Sequence, residues 1–258
     1  MSTCWAEKLG GCSDKTSREH IVSAGIFPEG EPLRVKGFPW CRNEFKEIGM
    51  PSFTRKILCE RHNNYLTHTD EAGIKAMNVF RQEIEINDAR VKMKPRRWTV
   101  KTFSIDGRGF ESWLLKTLIN VSTEGIYRIG RDSTEAGKPS ERLVRIAFGL
   151  ETFKSRAGVY GLGNVGQKLK LLEGIFLCPL VQSDESLTGG LFHFRGYRFL
   201  LYFEEEGLSR NIPLPTAFGE QAHRSDTMYP LEAIRYEIGK HLSHIIKFRY
   251  TSPSHLTA

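Results

Sequence analysis

Hydrophobic spacing changes character along the chain, and the changes predict its elements. Up to residue 69 there is little sustained periodicity. Ile21 to Phe27 is apolar with small residues, and Pro28-Glu29-Gly30-Glu31-Pro32 then imposes a turn, because Pro fixes φ and Gly admits positive φ. Ser52 to Leu58 alternates as a short strand ending at Cys59. From Asp70 onward Ile74, Met77, Val79, Phe80 and Ile84 recur at helical spacing, with Asp70 and Glu71 at the end where negative charge is favourable. The basic stretch Lys92-Met93-Lys94-Pro95-Arg96-Arg97 breaks that pattern and predicts a boundary between domains 1–95 and 96–258. Beyond it the pattern predicts a hairpin from Trp98 to Ser104 with a turn at Asp106-Gly107. An amphipathic helix follows, carrying Phe110, Trp113, Leu114, Leu118 and Val121. Leu143–Phe148, Gly174–Leu180 and Leu191–Phe203, the last turning at Arg195-Gly196, read as strands of one sheet. A final helix is expected from Tyr229 to Lys247, with Leu231, Ile234, Ile238, Leu242 and Ile245 inward. Arg235, Lys240, His241, His244 and Lys247 would form its solvated face. The predicted fold class is α+β, a small stapled module followed by a mixed domain with a mainly antiparallel sheet and flanking helices.

Composition narrows the partners. The chain has 258 residues, 40% hydrophobic and 26% charged, with a formal net charge of +7 and a pI near 9.2. That field concentrates polyanions, and nucleic acid is the expected partner, DNA ahead of RNA. No apolar run approaches membrane-spanning length, so no membrane partner is expected. Five cysteines, an odd number, with neither a basic leader nor an apolar stretch at Met1-Ser2-Thr3-Cys4-Trp5, predict a reducing compartment, the cytoplasm.

A short, weakly hydrophobic segment needs a staple, and the first 70 residues contain one. Cys59-x2-His62 has the spacing of a zinc-ligand pair, and Cys4 with Cys12 completes a four-ligand set across a longer loop. Cys41 competes for one place; Cys178, within the apolar run Ile175–Leu180, reads as a packed thiol.

Two clusters, Ser17-Arg18-Glu19-His20-Ile21 and Leu58-Cys59-Glu60-Arg61-His62-Asn63-Asn64-Tyr65-Leu66 followed by Asp70, resemble the HNH endonucleases. The resemblance covers the first quarter of the chain and implies a zinc-stabilised ββα-metal finger. It assigns His20 as general base and Glu19 and Asn63 as ligands of a catalytic magnesium or manganese ion. It also implies phosphodiester hydrolysis in DNA, in restriction or anti-phage defence. Physically, imidazole can take a proton from water near neutral pH, and oxygen donors suit a hard cation. Where the family places an Asn before the second zinc pair, this chain has Ser52, Phe53 and Thr54. Lys92, Lys94, Arg96 and Arg97 are the expected grip on the phosphate backbone. The C-terminal domain would position substrate or a protein partner. The competing reading keeps the zinc finger as a non-catalytic nucleic-acid-binding or complex-assembly module.

Gly161-Leu162-Gly163-Asn164-Val165-Gly166 has the spacing of a dinucleotide loop, yet Gln167–Leu172 is too short for the helix such a loop opens. A glycine-rich connection within the sheet is expected instead.

Overall fold

The computed structural model of the chain describes residues 4–27, 29–38, 40–94, 97–123, 125–154, 156–163, 175–194, 196–204 and 227–250. It is a mixed α+β structure whose strands pair mostly antiparallel. In chain order the strands and α-helices are β1 (Thr16–His20), β2 (Leu33–Val35), β3 (Lys46–Ile48), β4 (Thr54–Cys59), α1 (Glu60–Tyr65), α2 (Thr67–Val91), β5 (Lys101–Asp106), α3 (Gly107–Ser122), β6 (Arg128–Ile129), α4 (Glu141–Ala147), β7 (Gly158–Gly163), β8 (Ile175–Val181), β9 (Ser186–Phe194), β10 (Tyr197–Tyr202), β11 (Thr227–Pro230), β12 (Ala233–Ile238) and β13 (His241–Arg249).

β1 and β4 form an antiparallel ladder in which Thr16 faces Cys59 and His20 faces Thr54, with an irregularity between Ser17 and Glu19. Within the connection between them β2 and β3 pair antiparallel, with Val35 buried in the core. The larger sheet runs β11-β7-β10-β9-β6, with β8 also paired to β9. A third sheet, β12-β13-β5, contains a parallel pair, β13 beside β5.

α3 is the axis of the molecule. Phe110, Trp113, Leu114, Leu115, Leu118 and Ile119 are all buried, as expected of a helix apolar on nearly every side. α2 packs on it closely: a Cβ built on Gly73 would sit 2.4 Å from the indole of Trp113, so only glycine fits. Phe80, Phe194, Tyr197 and Phe199 fill the space between α2 and the large sheet, and the buried cluster runs without interruption from Cys4 to Phe248.

Four expectations are corrected. No hairpin forms at Trp98–Ser104: β5 runs directly into α3 through the N-cap Asp106, whose side chain accepts from Gly109 N, and its partner is the distant β13. The segment expected as a strand at Leu143–Phe148 is instead helical through Ala147, because Ser140 caps it by accepting from Leu143 N at 3.4 Å and Glu141 follows in the first turn. The expected C-terminal helix over Tyr229–Lys247 is instead strands. Ile234, Tyr236 and Ile238 alternate with the exposed Arg235 and Glu237, and Gly239 at φ +63° makes the two-residue turn between Ile238 and His241. With that change His244 leaves the expected solvated face and becomes fully buried, its Nε2 3.0 Å from Glu83 Oε1. The strands expected at Gly174–Leu180 and Leu191–Phe203 are β8, β9 and β10. Of the glycine motif, Gly161–Gly163 lies in β7, an antiparallel neighbour of β10 and β11, and Asn164–Gly166 lies outside the described residues.

Candidate metal centre and the polar centre beside it

Cys59 ends β4 and caps α1, its Sγ accepting from His62 N at 3.5 Å, so that one turn of helix carries the His62 ring back over the thiol. The N-terminal segment is fastened to the other edge of the same ladder, with Trp5 N donating to Ile57 O at 3.0 Å. This brings Cys4 and Cys12 to the same point. The Sγ atoms of Cys4, Cys12 and Cys59 lie 3.3, 3.6 and 3.3 Å from His62 Nδ1. All four donor atoms fall within 4.8 Å of one another. Zinc bonded at about 2.3 Å to sulfur and 2.0 Å to nitrogen would separate a sulfur from a nitrogen ligand by about 3.5 Å across a tetrahedral angle. The four residues therefore have the spacing of a closed Cys₃His site and can hold a metal ion; the donor set is consistent with structural zinc.

Burial and local N–H donors push the thiols of the cluster in opposite directions. Burial pushes the Cys4 thiol up to about 12 and raises that of Cys12 as well. Burial also opposes ionisation of Cys59, but the N–H groups of His62 and Ser13 outweigh it and bring its thiol down to about 7. Burial lowers the His62 imidazole, and its ring packs edge-on against Phe148 at 5.6 Å. Cys41 is buried elsewhere and is not a member of the cluster, and Cys178 is half-buried in β8.

The residues expected to do chemistry lie on the same ladder and the helices behind it. Glu19 is 3% exposed, and its Oε1 is 2.5 Å from Nζ of Lys116, itself 2% exposed. The same ammonium lies 2.5 Å from Asp70 Oδ1. Ser23 donates to Asp70 and accepts from Trp113 Nε1 at 2.9 Å, while Asn120 Nδ2 donates to Glu19 Oε1 and to the carbonyl of His20, both at 3.2 Å. Burial raises the Glu19 carboxyl, with Lys116 pulling it back. His20 is half-buried, and its imidazole is held low first by burial and then by the Lys116 charge, with Asp70 opposing. The His20 ring has no hydrogen-bond partner among the described residues, and Thr54, opposite it in the ladder, donates its hydroxyl to Pro51 O. Asn63 Nδ2 donates to Ser17 Oγ at 2.9 Å, leaving its Oδ1 without a partner among the described residues.

Lys92, Lys94 and Arg97 are exposed just past the end of α2; Arg96 lies outside the described residues. Among the described residues no helix is long and apolar enough to cross a membrane.

Sequence reasoning missed Lys116 and Asn120. Their signal was present: a lone lysine and a lone asparagine inside Trp113-Leu114-Leu115-Lys116-Thr117-Leu118-Ile119-Asn120, a run apolar enough to be buried, where a polar group must find a partner.

No protein-family model, no curated protein and no solved structure matches the chain.

Proposed function

We propose that the chain is a metal-dependent endonuclease of the HNH type that hydrolyses phosphodiester bonds in DNA, in a setting such as restriction or anti-phage defence. The observation that carries the reading is the convergence of Glu19 and Asp70 on one cationic point, with the imidazole of His20 close enough to feel both Asp70 and Lys116. The β1–β4–α1 order, with Asn63 hydrogen-bonded back to β1, is also that of a ββα-metal finger.

Glu19, Asp70 and Asn63 Oδ1 offer hard oxygen donors of the type magnesium or manganese takes. Such an ion supplies neutralisation of charge on the phosphate and on the leaving oxygen. His20, its imidazole held low by burial and its ring without a hydrogen-bond partner among the described residues, takes the proton of the attacking water. Asn120 fixes the strand end that carries it through the His20 carbonyl. Incubating supercoiled plasmid with the protein in magnesium or manganese, beside His20→Ala, tests this: metal-dependent nicking lost in the variant supports it, and wild-type protein that never nicks sinks it.

One observation favours a second reading. Lys116 Nζ already stands where the two carboxylates meet, an internal cation that can make this centre purely structural. The chain would then be a non-catalytic zinc-stapled module for nucleic-acid binding or complex assembly, and would bind nucleic acid without cutting it.

A further inference from the structure

Between β1 and β4 the chain exposes chemistry that neither centre uses. Across residues 33–56, Arg34, Lys36, Arg42, Lys46, Arg55 and Lys56 stand against Glu44 and Glu47. Set among these cations are two large exposed rings, Phe45 at 58% and Trp40 at 40%. Arg34 and Lys36 lie 5.1 and 5.3 Å from the centroid of Phe45, and Lys46 lies 5.9 Å from that of Trp40. Trp40 is not loose: it stacks on Phe38 at 5.6 Å and 15°, and Phe38 meets the buried Phe53 edge-on at 5.5 Å. Trp40 is thus anchored to the core and open to solvent at its outer end, and Phe45 stands as a second exposed ring in the same basic segment.

A cleft of about 330 Å³ is lined by Arg18, Ser52, Thr54, Arg55 and Lys56. Arg18 and Lys56 make no ion pair among the described residues. Arg55 also lies 5.6 Å from the centroid of Phe38, joining the cleft to the ring stacked on Trp40. Thr54 ties the cleft to His20, its partner in the ladder.

We propose that this face binds single-stranded or locally unpaired nucleic acid, with phosphates in the Arg18–Arg55–Lys56 cleft and bases stacked on Trp40 and Phe45. It rests on the nuclease reading in taking the cleft as the approach to His20. Cations alone would serve any polyanion; the rings decide. A duplex hides the faces of its bases within its own stack, and only unpaired bases present a flat surface to an exposed aromatic ring. The exposed Lys92, Lys94 and Arg97 suit backbone contact only, because their neighbour Trp98 is half-buried with its Nε1 donating to Leu242 O at 3.4 Å.

The test is fluorescence anisotropy on the full, zinc-loaded chain without added magnesium or manganese, so that cleavage does not intervene. The probes are labelled oligo(dT), labelled oligo(rU) and a mixed-sequence duplex. The single strands are expected to bind more tightly than the duplex, with the preference between dT and rU naming the source. Trp40→Ala and Phe45→Ala should each weaken single-strand binding by about tenfold and leave the duplex unchanged, with Trp40→Phe restoring most of the loss. Arg18→Ala and Lys56→Ala should each lower the slope of log K against log salt by roughly one. Both rings are exposed, and an unchanged melting temperature would show that the variants fold. Single-strand binding indifferent to both rings, a preference for duplex, or no binding by the wild type would each overturn the proposal. Single-strand stacking in a protein that never nicks plasmid keeps this face and removes the hydrolase. Nicking that ignores Trp40 and Phe45 keeps the hydrolase and removes this face.

Discussion

The indole Nε1 of Trp5 donates to Oδ1 of Asn120 at 3.1 Å, while the other end of that amide donates to Glu19 and to the His20 carbonyl. Trp5 is the neighbour of Cys4, so one fully buried amide joins the thiol cluster to the polar centre. Asn120→Ala would leave an indole N–H and part of a carboxylate unsatisfied, each worth about 1–3 kcal/mol when buried. We expect a loss of about 3 kcal/mol in urea denaturation, with reduced metal retention. Asn120→Asp should not rescue, because it adds a negative charge beside Glu19.

The thiol cluster predicts its own stoichiometry. Purified protein should carry one zinc per chain, Cys59→Ser should lose it, and Cys41→Ser should keep it. Chelation should raise hydrogen exchange first in residues 4–20, whose attachment depends on the cluster; these are the measurements to make.

Lys116 and Glu19 provide a double-mutant test. Lys116→Met removes the cation that both a buried and a half-buried carboxylate contact and is expected to cost about 3–5 kcal/mol. Adding Glu19→Gln should recover part of that loss, because one of the stranded charges is removed. Additive losses in chemical denaturation would mean the pair is not coupled.

Gly73 gives a prediction whose sign depends on which effect is larger. Alanine favours helix by about 1 kcal/mol over glycine. Against that, the new methyl would lie 2.4 Å from the Trp113 ring, where overpacking typically costs about 1–3 kcal/mol. Gly73→Ala should therefore be net destabilising in thermal melts, whereas the same change at an exposed helical position would stabilise.

Glu111, on α3, accepts from Val159 N at 3.0 Å, and burial raises its carboxyl to about 7, with that hydrogen bond and Arg108 opposing. Between about 4 and 7 the unfolded chain has released this proton while the folded chain still holds it. Stability contributed by the group is complete below that window and is lost as pH rises through it. Glu111→Gln should flatten the stability profile over the same range, read from urea midpoints at successive pH values.

How far the sequence could be read depended on how local the governing interactions are. Cys59 and His62 lie one helical turn apart, and β9 and β10 are consecutive strands paired antiparallel, so both were legible. Residues 229–247 fit two periods at once: Ile234, Ile238, Leu242 and Ile245 satisfy a helix, while Ile234, Tyr236 and Ile238 satisfy a strand, and Gly239 should have decided it. For Glu19 and Lys116 the pattern around each residue says only that it is buried. Their pairing exists because α3 passes behind β1, a relationship no local window contains.

The parallel pairing of β5 with β13 sets an order of events on the ribosome. β5 and α3 emerge early, but the strand that covers β5 comes from more than 140 residues later, as Lys101 lies beside His244. Loop closure over such a span is slow, so nascent chains would leave the flank of α3 uncovered until late in translation. The four thiol and imidazole donors, by contrast, are all synthesised by His62, so a metal can join them long before β13 exists.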